Sequence, residues 1–370
     1  MCDSIERVLP RTTYDLAGAA SGKEGRLLIR QNVLVYFIPG NPGLIEYYSA
    51  FADYLTRALE KENKDTLYHF MGTSLPGFHV NPQPDDEVDK LPLSLEEQVG
   101  LAANFIAVAA RHDQELFRRQ CETSGLPRPG PLPVILVGHS VGTYITLQTI
   151  ARRQAQQKNE SAAEEADFEI VGGICLFPTI IDLAKSPTGK QVNWLATSPY
   201  LAPTLQTLTK LLTTISPTFA LRKLVQLITG QNAGAAETTA AFLSSKHGVL
   251  QALYMARHEL LEMTHDKWSD DLWNGPLPVG KDDEVKMDRP KLYFYWGAND
   301  HWIDNSTRDS VIASRARRDS DAGGERKPVM EVDQLGTPHD FCIKDETSKI
   351  VAEKAAGYVI EILRELEARR

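Results

Sequence analysis

Residues 133–144, PVILVGHSVGTY, constrain the fold of this chain more than any other stretch. Val134 to Val137 is an unbroken apolar run of β-branched residues and Leu, the pattern of a strand buried on both faces. The residues that follow Gly142, TYITLQTIARR, read as a helix. Between the two lies Gly138-His139-Ser140-Val141-Gly142, so the chain must pass from strand to helix within a tight turn that has Ser140 at its apex. The glycines answer a steric need, because a Cβ at Gly138 or Gly142 would collide with crowded backbone on either side. Such a turn pushes the Ser140 hydroxyl out above the sheet edge. The first free amides of the helix point the same way and can receive negative charge.

A strand, G-x-S-x-G and a helix in that order make the nucleophile elbow of the α/β-hydrolases. A plain βα turn with a helix-capping serine competes with that reading, and the rest of the chain must decide. Residues 32–38 (NVLVYFI) form a second buried strand, which runs straight into Pro39-Gly40-Asn41-Pro42-Gly43. An α/β-hydrolase places half of its oxyanion hole on such a loop, the other half being the amide after the nucleophile, here that of Val141. Asn41 is the expected donor on the loop, because Pro42 has no N–H to give. Further strands are expected at 66–70, 169–177, 291–296 and 329–332, with an edge strand at 26–30. Helices are expected at 46–59, 95–111 and 347–366. This alternation gives a mostly parallel sheet with helices on both faces. The acidic run at 85–89 and the polar run at 315–327 read as surface loops.

A serine hydroxyl needs a base to take its proton, and the base needs a carboxylate to hold its tautomer. Two loops at carboxyl ends of strands supply candidates. Residues 291–296 lead into Gly297-Ala298-Asn299-Asp300-His301-Trp302, and residues 329–332 are followed by Gly336-Thr337-Pro338-His339-Asp340. The order Ser140, Asp300, His339 is the α/β-hydrolase order of nucleophile, acid and base. Asp304 and Asp182 are alternative acids. His139 reads as a packed or substrate-lining residue. His258 and His265 lack zinc-helix spacing and read as surface residues, and no C-x-x-C pair exists, so neither metal nor cofactor is expected.

With 370 residues, the chain fits one α/β domain over residues 1–370 carrying a large insertion. The regular alternation stops for more than a hundred residues before position 291, and a gap of that size implies an inserted, mostly helical cap, set at about 187–289. The formal net charge of -9 argues against sequence-independent nucleic-acid binding. The first residues lack the apolar core of a secretory signal, and Cys2, Cys121, Cys175 and Cys342 are scattered, so free thiols are expected. Within the insertion, no acidic residue occurs between Asp182 and Glu237, while Lys185, Lys190, Lys210, Arg222 and Lys223 do. Leu205, Leu208, Leu211, Leu212 and Ile215 share one helical face, and Phe219, Leu221, Leu224, Val225, Leu227 and Ile228 follow on the next helix. Apolar faces with a basic side suit a helix lying in a membrane surface, or a cap closing on the site.

Taken together, IPGNPG, GHSVG, LFPTI followed by AKSPTGK, GANDHW and PHDF resemble the lipid droplet-associated hydrolase family, over about residues 32–345. The resemblance implies a serine ester hydrolase of lipid esters, with Ser140, Asp300 and His339 at the triad positions. It also implies residence at the lipid droplet surface and on the cytosolic side of the endoplasmic reticulum, where the apolar and basic stretch near 190–230 would make the peripheral contact. A catalytically weak droplet scaffold that keeps the fold, and an acyltransferase using the same triad, are the alternatives.

Overall fold

The computed structural model describes residues 16–17, 31–62, 64–80, 90–159, 167–194, 198, 201–214, 216–273, 289–317 and 327–369. The expected edge strand at 26–30 and acidic loop at 85–89 lie outside these residues. Seven strands form one sheet: β1 (Leu16–Ala17), β2 (Gln31–Ile38), β3 (Thr66–Gly72), β4 (Leu132–His139), β5 (Phe168–Leu176), β6 (Lys291–Trp296) and β7 (Val329–Val332). Their order is β1-β3-β2-β4-β5-β6-β7. Strands β2 to β7 run parallel, and β1 alone pairs antiparallel, with β3.

Each central strand divides its side chains between two helical layers, as the two-residue repeat of a strand requires. Leu34, Tyr36, Val134 and Leu136 pack with α2 (Leu95–Thr123) and α3 (Val141–Asn159). Val33, Val35, Ile135 and Val137 pack with α1 (Ser49–Glu62) and a long closing helix, Asp345–Arg369. Every residue of β4 is buried, so the elbow grows out of the middle of the core. Sheet register then collects the loops: Ile38 lies opposite Gly138, His139 opposite Leu176, Leu176 opposite Tyr295, and Trp296 opposite Val332. The turns leaving these carboxyl ends therefore emerge side by side, where ligands of open α/β sheets bind.

Helix α2 continues well past the expected end at residue 111, to Thr123. The run RHDQE reads as solvent-facing, yet Asp113 and Gln114 are buried. Both have partners: Asp113 accepts from Asn32 Nδ2 at 3.1 Å and also bonds His69, and Gln114 Nε2 donates to the Gly130 carbonyl at 2.8 Å. A buried polar side chain with its hydrogen bonds made does not interrupt a helix.

Between β5 and β6 the chain forms α4 (Pro187–Val192), α5 (Leu201–Thr214), α6 (Thr218–Thr229), α7 (Ala233–Ser244) and α8 (Gly248–Glu262). This segment is fastened over the carboxyl edge of the sheet. The Gln251 amide on α8 clamps both main-chain groups of Leu93, at 2.7 and 2.8 Å. Leu183 N donates to Met263 O at 3.1 Å, Asn232 N to Ile343 O at 2.9 Å, and Tyr47 Oη shares a 2.8 Å bond with Thr239 Oγ1. The far side of the segment carries Leu208, Leu211 and Leu212 on α5 and Phe219, Leu224, Leu227 and Ile228 on α6, all exposed, Leu227 by 84%. After β6 the chain forms α9 (Asn305–Arg315), and after β7 it forms α10 (Asp345–Arg369). Among the described residues no helix is long and apolar enough to cross a membrane.

Candidate active site

Ser140 stands at the β4–α3 turn with φ of 54°, a left-handed conformation that costs a serine about 1–3 kcal/mol. Neighbouring bonds hold it there: Ser140 N donates to Leu176 O at 3.1 Å, and Thr143 N donates to Ser140 O at 2.9 Å. The steric need for the flanking glycines is plain in the distances. A Cβ at Gly138 would lie 2.4 Å from the Gly142 carbonyl oxygen, and one at Gly142 would lie 2.2 Å from that of Ile38. Gly40 serves a third close approach, since a Cβ there would come within 3.0 Å of Ser140 Cβ.

Loops from three strands converge on this turn. His339 Nε2 lies 3.0 Å from Ser140 Oγ, and His339 Nδ1 lies 2.7 Å from Asp300 Oδ2. A carboxylate oxygen accepts, so Nδ1 donates to Asp300 and Nε2 is left to accept from the serine hydroxyl. The other Asp300 oxygen accepts from Trp302 N at 2.8 Å, and Asp300 is buried. The alternative acids are engaged elsewhere. Asp304 caps α9 through Ser306 N at 3.0 Å, and Asp182 pairs with Lys185 at 2.8 Å. Asp340, next to His339 in sequence, is exposed.

Two buried groups that the sequence left undistinguished hold the loops of Asp300 and His339. Arg308, from α9, donates to the carbonyls of Gly297 and Ala298 at 3.0 and 2.8 Å, which fixes the turn ahead of Asp300. Asp333 accepts from Thr337 N at 2.7 Å and from the Tyr295 hydroxyl, which fixes the turn ahead of His339. Burial would raise the Asp333 carboxyl, but the bonds from Tyr295 and Thr337 outweigh it and hold the group below its usual range.

His139 is a structural residue of the site rather than a base. Burial, with the neighbouring His339, keeps its pKa well below the ordinary imidazole value, so it stays neutral. Its Nε2 lies 2.9 Å from the His339 carbonyl, which can only accept, so that nitrogen carries the proton. Its Nδ1, 2.7 Å from Tyr48 Oη, therefore accepts from the tyrosine, and Tyr48 Oη in turn accepts from Gly40 N at 3.1 Å. This relay ties the loop after β2 to the elbow and the elbow to the His339 loop. With the Gly40 amide bonded to Tyr48, the main-chain amides of Asn41 and Val141 have no hydrogen-bond partner among the described residues.

A cavity of about 230 Å³ opens onto Ser140 and His339. Thr179, Leu183, Leu260 and Glu259 are among its walls. Glu259, from α8, is buried, and its Oε1 accepts from Asn41 Nδ2 at 2.8 Å. Burial raises its carboxyl to about 7, against the smaller opposing effect of the Asn41 bond. His258, expected at the surface, is only partly exposed and bonds Glu262 at 2.8 Å. Among the described residues no cluster of His, Cys, Asp or Glu is arranged to hold a metal ion.

A parallel sheet with helices on both faces and a serine elbow at the carboxyl end of a central strand defines an α/β-hydrolase. A haloalkane dehalogenase loop variant from Bradyrhizobium elkanii shares the fold, with a TM-score of 0.51 at 10% identity over 92% of this chain and 93% of that one. The particular family follows from the sequence: the profile described as Lipid-droplet associated hydrolase matches residues 31–342, and the chain belongs to that family of hydrolases. The Mus musculus protein named lipid droplet-associated hydrolase is 25% identical over 95% of this chain and 97% of its own length. The Gallus gallus protein of the same name is 25% identical over 75% of this chain and 73% of its own.

Proposed function

We propose that this hydrolase cleaves carboxylic esters of lipids through an acyl-enzyme, with Ser140 as nucleophile, His339 as base and Asp300 as the acid that orients it. The observation that carries the reading is the unbroken line of hydrogen bonds from Ser140 Oγ through His339 to Asp300, at 3.0 and 2.7 Å. Ser140 Oγ adds to the ester carbonyl carbon while its proton passes to His339 Nε2. The carbonyl oxygen gathers negative charge between the amides of Val141 and Asn41, both unpaired and therefore ready to donate. Collapse breaks the bond to the alcohol, which leaves with the proton from His339, and the acyl group stays on Ser140. Water then gives a proton to His339 and attacks the acyl carbon, releasing the acid and restoring the serine.

The segment at about 187–289 serves as the cap, and the apolar faces of α5 and α6 rest on lipid. Surface leucines in such number are unusual for a face meant for water. With Lys210, Arg222 and Lys223 nearby, they suit a monolayer carrying anionic headgroups. The cytosolic face of a droplet or of the endoplasmic reticulum offers such a surface, in keeping with the name of the family.

A fluorophosphonate probe tests the nucleophile. The parent protein is expected to be labelled at Ser140, and Ser140→Ala to lose both label and ester turnover, the latter by about 10³-fold or more in kcat. Labelling at another residue, or full turnover by the alanine variant, refutes the assignment. New ester in place of free acid when excess alcohol is supplied would identify an acyltransferase instead.

A further inference from the structure

The cavity beside Ser140 is walled largely by apolar side chains, among them Leu183, Val192, Ala256 and Leu260. Within that wall, three polar groups are left incompletely satisfied. Thr179 is 2% exposed and its hydroxyl has no partner among the described residues. Asn41 Oδ1 is buried without a partner, although Asn41 Nδ2 donates to Ala252 O at 3.0 Å and to Glu259 Oε1 at 2.8 Å. Glu259 is 6% exposed, and among the described residues the bond from Asn41 is the one hydrogen bond of its carboxyl, leaving the other carboxyl oxygen to the cavity. Buried polar groups in folded proteins are nearly always bonded, so unbonded ones gathered at one cavity call for a ligand that completes them.

The chemistry of that ligand follows from what is missing. Asn41 Oδ1 only accepts, so the ligand must bring a donor, while the Thr179 hydroxyl and the Glu259 carboxyl, raised to about 7 by burial, can either give or accept. The carbonyl and ether oxygens of a fully esterified lipid only accept, and would leave Asn41 Oδ1 without a donor. A fixed cation would lose its hydration in a mostly apolar wall with a single carboxyl opposite. A neutral hydroxyl meets the need, donating to an acceptor of the cluster and accepting from Thr179. We infer that Glu259, Asn41 and Thr179 form a subsite for a free hydroxyl close to the scissile ester, so that the substrate is a partial ester of a polyol, of the mono- or diacylglycerol type. The inference rests on the ester-hydrolase reading above. The reach agrees: Asn41 adjoins Gly40, which packs on Ser140, and Glu259 lies one asparagine side chain and one hydrogen bond beyond. In a glycerol partial ester, the free hydroxyl sits a carbon or two from the ester oxygen.

Matched substrates test this. The parent protein is expected to hydrolyse 1-octanoylglycerol with kcat/KM about 10²-fold or more above propyl octanoate, which has the same acyl group and no hydroxyl. Thr179→Val keeps the side-chain shape and removes only the hydroxyl, and Glu259→Gln keeps an acceptor for Asn41. Each should shrink the ratio between the two esters, by about tenfold for Thr179→Val. Equal rates on the two esters, an unchanged ratio in both variants, or a preference for octanoylcholine overturns the subsite. Binding separates this result from failure of the hydrolase reading. The Ser140→Ala protein should bind the uncleavable 1-O-octylglycerol at least about tenfold more tightly than octyl propyl ether. Equal binding refutes the subsite, whereas selective binding with no turnover of either ester by the parent keeps the subsite and rejects the hydrolase reading.

Discussion

Replacing Glu259 by Gln should change how the stability of the protein depends on pH. The carboxyl is 6% exposed, no cation among the described residues is paired with it, and its pKa is raised from 4.5 to about 7, chiefly by burial. A group that holds its proton more tightly in the folded chain stabilises folding most when protonated in both states. That contribution is fully present below about pH 4.5 and is lost as pH rises through about 7. At about 1.4 kcal/mol for each tenfold change in proton affinity, the loss amounts to about 3 kcal/mol. Glutamine still accepts the Asn41 bond but has no charge to desolvate. Relative to the parent, Glu259→Gln should therefore gain about 2.5 kcal/mol of stability between pH 5 and pH 8. Urea unfolding followed by tryptophan fluorescence at several pH values measures this. For a slope of about 3 kcal/mol per molar urea, the midpoint difference between the two proteins should grow by about 1 M over that range. A midpoint difference that stays constant across the range would refute the argument, because a buried and unpaired carboxyl could not then be the linked group.

Asp300→Asn should lower kcat on a short soluble ester by about 10⁴-fold, and Asp304→Asn should leave it nearly unchanged; a larger loss at Asp304 reverses the assignment of the acid. His139→Leu strands the Tyr48 hydroxyl and the His339 carbonyl, each at a cost of about 1–3 kcal/mol, so its urea midpoint should fall with kcat, and wild-type stability would sink the relay. Replacing Leu208, Leu211 and Leu212 together by Ser should sharply reduce flotation with liposomes or droplets, since each exposed leucine offers about 1.5–3 kcal/mol on burial. Added salt should weaken flotation of the parent only modestly, and unchanged flotation of the triple variant would reject the lipid face.

The parts of this protein that the sequence by itself determined are those written over short distances. Four of the six parallel strands, β2, β4, β5 and β6, announce themselves as apolar runs, because a strand buried on both faces needs an apolar residue at nearly every position, whereas β3 and the half-buried β7 show more weakly. Gly138 and Gly142 are legible for a similar reason: backbone crowding within one turn admits no Cβ, and the contacts bear that out. Asp300 and His339 were readable as candidates because each follows a strand directly. Which carboxylate meets His339 belonged to the tertiary structure, since the sheet register carries the Asp300 loop to it while Asp182 and Asp304 bond elsewhere. The continuation of α2 beyond residue 111 likewise depended on distant partners, Asn32 and His69, that make a buried Asp113 tolerable. Tyr48, Thr179, Glu259, Arg308 and Asp333 carry no local mark at all. Glu259 looks like one more charge on an amphipathic helix, and only the folding of α8 onto the loop after β2, 218 residues away in sequence, buries it against Asn41 at the cavity that Ser140 lines. Local periodicity records what each element buries, whereas which buried faces meet is decided by the packing of the whole chain.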